Sequence, residues 1–292
     1  MSGLVVIDKP AGMTSHDVVG QVRRLVGTRR VGHAGTLDPM ATGVLVLGVN
    51  KATRLLGHLI LSRKGYDATV RLGASTSTDD AEGPITSQAS ASGVTEEALR
   101  SATALFVGEI DQVPSAVSAI KVDGRRAYAR VRAGEFVQLA ARKVTIDSLD
   151  VTGIRRELDY LDVDISLRCS SGTYVRAVAR DLGSDLGIGG HLTKLRRTAV
   201  GDFVLAEAQP LPELESDDEL RCLSLDTATR RCFPGHVVDA EGARDISYGR
   251  RLEAELGSLG PVAVFDESGR FLALYQQRGP LAVPVAVFAG SG

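Results

Sequence analysis

Short apolar runs and helical patterns alternate along this chain without a regular strand–helix–strand rhythm, and that order constrains the fold more than any other feature. Residues 4–7 form an apolar run closed by Asp8-Lys9-Pro10-Ala11-Gly12, which reads as a strand entering a turn. Thr14 or Ser15 can cap a helix reaching about Val26, with Val18, Val19, Val22 and Leu25 on one face. Residues 44–49 are continuously apolar and read as a buried strand, and residues 66–72 alternate as a second one. The small, polar stretch 75–92 reads as a long surface loop, followed by a helix over 95–105 with Thr95 as its cap. A strand over 115–122 and a basic helix over 125–133 come next, then two antiparallel strands over 143–151 and 158–169. The turn Ser170-Ser171-Gly172-Thr173 leads into a helix over 174–186 carrying Val175, Val178, Ala179 and Leu182 at helical spacing. This irregular mixture predicts an α+β fold with a mixed, mainly antiparallel sheet and flanking helices, not a doubly wound parallel sheet.

Pro210, Pro212 and the acidic run through Glu219 read as a linker or exposed loop. Beyond Gly235, strands over 262–265, 271–275 and 283–288 predict a small C-terminal β module of about 55–60 residues, near the lower limit for an independent core. The expected division is a large domain over 1–230 and a small one over 235–292.

With 292 residues, 43% of them hydrophobic, the chain can bury a large core. Its net charge of -2 conceals an uneven distribution. Lys121, Arg125, Arg126, Arg130, Arg132, Arg142 and Lys143 crowd one segment, whereas seven acidic residues lie within 207–226. A polyanion responds to such a local field and not to the total. On a helix, Arg125, Arg126, Arg130 and Arg132 would form one broad basic face suited to phosphates, and Arg23, Arg24, Arg29, Arg30, Arg196 and Arg197 could extend the track. Three cysteines without a CxxC pair give neither a disulfide framework nor a zinc site. No GxGxxG, P-loop, HExxH or EF-hand pattern occurs. Neither a signal peptide nor an apolar run of the ~20 residues a membrane span needs is visible, so a soluble cytoplasmic protein, a monomer without metal or cofactor, is expected.

The segment richest in chemistry is GHAGTLDPMATG at residues 32–43, a glycine-rich loop with one carboxylate, Asp38, and one histidine, His33. Pro39 pushes Asp38 toward extended backbone, a stiff setting from which a carboxylate can project into a cleft. Taken alone, an Asp-Pro pair more often caps a turn. In its sequence context this segment resembles the catalytic loop of the TruB family of pseudouridine synthases. Six further pieces resemble that family in the same chain order: VIDKPAGMTS (6–15), Lys64-Gly65-Tyr66 with Arg71-Leu72-Gly73, TDDAEG (78–83), VPSAVSAIK (113–121), SSGTYVR (170–176) and HLTKLRR (191–197). The match runs from about residue 4 to residue 200.

The resemblance implies conversion of uridine 55 in the T-arm of tRNA to pseudouridine, with Asp38 as the catalytic aspartate that starts cleavage of the glycosidic bond. It also implies that Tyr66 stacks on the flipped base and is a candidate for late proton abstraction, and that Arg176 pairs with the carboxylate. His33 is expected to fill the space that the flipped nucleotide leaves, Asp80 to contact RNA from its loop, and Leu195 to line the uracil pocket. Lys121, Arg125, Arg126 and Arg130 are expected to bind the RNA backbone. The C-terminal module stands where family members carry a PUA or PUA-like RNA-binding domain. The chemistry suits these residue types: detaching, turning and rejoining uracil adds no atoms and moves no electrons away. It requires an ionised carboxylate, which an arginine partner keeps charged. Two other readings are a guide-RNA-dependent synthase subunit and a tRNA-folding chaperone; the latter would need the basic face but neither Asp38 nor Arg176.

Overall fold

A computed structural model describes residues 1–115, 121–122, 125–126, 139–211 and 220–289. Its centre is an eleven-stranded sheet. The main path runs Gln209–Pro210, Gly3–Lys9, Thr42–Val49, Gly190–Val200, Lys64–Leu72, Tyr160–Cys169, Arg142–Glu157, Gly108–Gln112. Three short strands, Val31–His33, Phe203–Val204 and Leu223–Ser224, attach to this path. Most neighbours are antiparallel, but Gly190–Val200 runs parallel to Thr42–Val49 and Gln209–Pro210 parallel to Gly3–Lys9. The expected α+β fold with a mixed, mainly antiparallel sheet is therefore the observed one.

Period-two patterning decides which face each strand presents. Val5, Ile7, Leu45 and Leu47 point to one face and meet α1 (Ser15–Leu25) through Val18, Val19 and Val22. Thr14 caps α1, accepting from the Asp17 amide, while Asp17 accepts from the Thr14 amide in return, so two orphan donors of the first turn are satisfied. The same face is covered by α2 (Glu96–Ala104), capped by Thr95, and by α3 (Val175–Asp185). Gly183 lets α3 lie directly on the Gly190–Val200 strand: a Cβ there would stand 2.1 Å from the Gly189 carbonyl carbon.

The opposite face of the Gly3–Lys9 and Thr42–Val49 strands carries Leu4, Val6, Val44 and Val46. These pack with Ala263, Phe265, Phe271, Leu274 and Phe288 of the C-terminal segment into one apolar cluster. That segment has a four-stranded sheet in the order Gly235–Val238, Val262–Asp266, Phe271–Arg278, Leu281–Val287, and a cluster of its own around Ile246, Leu272 and Tyr275. The C-terminal module thus has its own sheet but shares one apolar cluster with the large one.

Three expectations need correction. Residues 75–92 are not a plain loop, because Ala74–Thr76 and Ile85–Gln88 pair as a hairpin. The Ile85–Gln88 strand is exposed throughout, so no face is buried and no alternation marks it. Arg125 and Arg126 do not open a helix; they form a strand paired with Lys121–Val122, and residues 127–138 lie outside the described residues. Pro210 is not in a departing linker, since Gln209–Pro210 and Leu223–Ser224 both grip the first strand; residues 212–219 lie outside the described residues. Residues 191–197, which carry no plain alternation in sequence, form part of a central strand. Bulges after Leu192 and Arg197 break its alternation, which hides it from pattern reading. No helix among the described residues is long and apolar enough to cross a membrane.

Phe265, 1% exposed, sits in the shared cluster. Phe265→Ala is expected to cost about 3–5 kcal/mol by urea unfolding, through lost transfer energy and a cavity. The transition should stay single, since the shared cluster couples the two sheets; two separate transitions in the unmutated protein would contradict that coupling.

Candidate active site

The loop bearing Asp38 connects Val31–His33 to Thr42–Val49, and its backbone is tied down from two sides. On one side Ser15 Oγ donates to the Leu37 carbonyl and accepts from the Leu37 amide, at 3.1 and 2.8 Å. The Gly12 amide donates to the Pro39 carbonyl at 2.9 Å. Lys9, fully buried, donates from Nζ to the carbonyls of Pro10, Met13 and Pro39 at 2.8, 2.6 and 3.3 Å. Burial lowers its pKa to about 8, against the pull of the Asp38 carboxylate, which favours the charged amine. On the other side Arg197 reaches the carbonyls of Gly35 and Thr36.

Arg176, in the first turn of α3 and 5% exposed, joins two carboxylates. Its Nε lies 3.1 Å from Asp38 Oδ2 and its Nη1 3.1 Å from Asp80 Oδ2. Nη1 also donates to the Thr78 carbonyl at 3.0 Å. Asp80 is held in turn by the Thr78 hydroxyl at 2.5 Å and the Glu82 amide at 3.0 Å. Removing one member of such a buried pair leaves an uncompensated charge and costs about 3–5 kcal/mol.

Asp38 keeps 37% of its side-chain surface open toward the cleft. The dense protein around it still removes enough water to raise its pKa above the ordinary aspartate value, and Asp80 adds to the rise. Arg176, and more weakly Lys9, pull the other way and favour the carboxylate.

The cleft in front of Asp38 measures about 520 Å³ and is lined by Tyr66, Leu195, Arg176, His33, Lys64, Tyr174 and Arg197 among others. Tyr66 lies on the Lys64–Leu72 strand, and Leu195 on the next strand pairs with Ala68, two residues along. Burial raises the Tyr66 pKa, so at neutral pH the phenol is protonated and is no standing base. His33 borders the cleft with its ring edge-on to His16, 6.0 Å between centroids; burial and His16 both lower its pKa, so it is held neutral.

Asp38, Tyr66, Arg176, His33 and Leu195, far apart in sequence, therefore line one cleft. Asp80 belongs with them but as a buried partner. Expected as an RNA contact, it is only 2% exposed and its carboxylate is occupied by Arg176, Thr78 and Glu82. Lys121, Arg125 and Arg126 lie on a two-stranded hairpin, and Arg130 is outside the described residues. Two residues read differently from sequence turn out to support the loop. Lys9, quoted from sequence only within a motif segment, is 0% exposed, and Arg197, expected in a phosphate track, is 1% exposed. Arg196 pairs with Asp8 at 2.6 Å. The positive charge of Lys9 and Arg197 within two motif segments was the available signal, and it does not distinguish a buried cation from an exposed one.

Comparison of the whole fold with solved structures places it in a known class. A chain of a Cbf5–Nop10–Gar1 complex superposes with TM-score 0.74 at 24% identity, over 98% of this chain and 84% of that one. A chain of the archaeal box H/ACA sRNP Nop10–Cbf5 complex does so with TM-score 0.70 at 23% identity, over 98% and 86%. At that identity the likeness defines the fold. The sequence defines the family. The model for the TruB family pseudouridylate synthase N-terminal domain matches residues 23–175, that for the tRNA pseudouridylate synthase B C-terminal domain 176–223, and that for the tRNA pseudouridine synthase II C terminus 233–289. A protein named tRNA pseudouridine synthase B from Arthrobacter sp. (strain FB24) is 56% identical over 301 residues, covering 100% of this chain and 98% of its own. One of the same name from Thermobifida fusca (strain YX) is 54% identical over 293 residues, covering 99% of each. The chain belongs to the TruB family of pseudouridylate synthases.

The electrostatics make a pH test. The folded pKa of Asp38 is raised, so if its ionised form is the one that acts, activity should fall as pH drops through a value above the ~3.9 of a free aspartate. Arg176→Gln removes the charge that opposes the rise and should move the acid limb of kcat/KM to still higher pH. A limb left in place by that substitution would show that Arg176 does not hold Asp38 ionised.

Proposed function

We propose that this protein is a tRNA pseudouridine synthase that isomerises uridine 55 in the T-arm, with Asp38, Tyr66 and Arg176 as its catalytic residues. The observation that carries this reading is the Asp38–Arg176–Asp80 linkage on the floor of a cleft whose walls include Tyr66 and Leu195.

The target uridine is stacked within the T-loop, and flipping it out costs a few kcal/mol. His33, neutral and at the cleft rim, fills the vacated space. The uracil ring enters between the Tyr66 ring and the Leu195 side chain. Asp38, kept ionised by Arg176, acts on the ribose; the bond from C1′ to N1 breaks, uracil turns, and a bond from C1′ to C5 forms. N1 gains a proton and C5 loses one, so atoms and electrons balance without a redox partner. The protonated Tyr66 phenol packs against the base; as a late proton acceptor it would first have to pass on its own proton. Arg176 contributes by a fixed, doubly anchored guanidinium, the geometry for which arginine is suited and lysine is not.

In this reading residues 1–230 form the catalytic domain and 235–292 an RNA-binding module of PUA-like type. Lys121, Arg125, Arg126 and Arg130 bind phosphates, which give affinity and salt dependence, while the folded shape of the T-arm gives selectivity.

Tritium release from tRNA labelled at uridine C5 tests the proposal, with no guide RNA, nucleotide or metal added. The unmutated protein should release one equivalent. Asp38→Asn should release none while its tRNA affinity stays within about 1 kcal/mol, since phosphate contacts dominate binding. Binding without release by the unmutated protein would point instead to a guide-dependent subunit or a folding chaperone.

A further inference from the structure

Arg197 is among the largest fully buried side chains of the protein. A guanidinium is costly to bury unless its donors are satisfied. Here Nε donates to the Val44 carbonyl at 2.7 Å, Nη2 to Gly35 at 3.0 Å and Nη1 to Thr36 at 3.4 Å. All three acceptors are main-chain oxygens flanking the segment that carries Asp38. The backbone of Arg197 has an equally specific setting. In the sheet it is the direct partner of Tyr66 on one neighbouring strand and of Gly43 on the other. The approach to Gly43 is so close that a Cβ at that position would lie 2.2 Å from the Arg197 carbonyl oxygen. One residue therefore stands between the strand that presents Tyr66 and the strand that issues from the Asp38 loop, and its side chain passes back beneath that loop.

We propose that Arg197 is a positioning residue for the reaction: it sets the distance and orientation between the Asp38 carboxylate and the Tyr66 ring by cross-linking the Gly35–Thr36 backbone to the Tyr66 strand. This rests on the synthase reading given above. A phosphate contact, suggested by its place in a run of basic residues, is incompatible with 1% exposure. A lysine does not reproduce it, because here the three carbonyls are met by three separate nitrogens, Nε, Nη1 and Nη2, of one planar fork, which a single ammonium nitrogen does not offer.

The test compares the unmutated protein with Arg197→Gln and Arg197→Lys in single-turnover tritium release at saturating enzyme, alongside tRNA binding and thermal unfolding. Misplacement of a reacting group by about 1 Å can cost about 100-fold in rate. Arg197→Gln should therefore lower the turnover rate by about 100-fold while tRNA Kd changes by less than about 3-fold, because no phosphate contact is lost. Arg197→Lys, which keeps the charge, should fold and remain nearly as slow. A lysine variant with the original rate would overturn the proposal, as would a loss confined to Kd and its salt dependence. Failure of both variants to fold would also overturn it, assigning Arg197 to stability alone. If the unmutated protein binds tRNA but releases no tritium, the synthase reading itself fails, and the inference with it, without any variant being consulted.

Discussion

The buried guanidinium of Arg176, shared between Asp38 and Asp80, is the interaction on which the site depends. Two carboxylates this close to one another would repel, and burial alone would drive Asp38 toward its neutral form. A cation between them counters both effects. Asp80 also fixes the cation: held by the Thr78 hydroxyl and the Glu82 amide, it leaves Arg176 little freedom, so the Nε facing Asp38 has one position. The packing of α3 on the Gly190–Val200 strand, at a distance only Gly183 permits, determines where that guanidinium begins.

The Asp38 loop has no regular structure of its own, and its rigidity is borrowed. Lys9, Ser15 and Gly12 hold it from the side of the first strand and α1, Arg197 from the central strand. Backbone carbonyls that would otherwise be unsatisfied in a buried loop thus become attachment points. Two of the four attachments use a fully buried cation in place of a neutral donor. Charged donors make stronger hydrogen bonds, and the same charges bear on the cleft, where Lys9 favours the ionised form of Asp38 and Arg197 that of Tyr66.

The C-terminal module contributes from behind. By covering Val44 and Val46, it supports the strand that leads out of the Asp38 loop, so a segment distant in sequence backs the cleft without lining it.

Sequence alone determined the kinds of element and pointed to the residues that line the cleft. The strands over 4–7, 44–49 and 66–72, the Thr14- and Thr95-capped helices and the helix carrying Arg176 were legible because apolar period and capping residues are local signals. Asp38, Tyr66, Arg176, His33 and Leu195 were legible because their motif segments are contiguous. What only the tertiary structure decided is which charges are buried. Asp80, Lys9 and Arg197 look like any exposed loop or basic-run residue in sequence, and Arg196 and Arg197 look alike. The sheet register turns one of that pair toward Asp8 and the other under the Asp38 loop. The central strand they share was itself hidden by its bulges. Burial of a polar group depends on partners brought from elsewhere in the chain, here from positions 9, 35–36, 44 and 78–82, and no local pattern records those encounters.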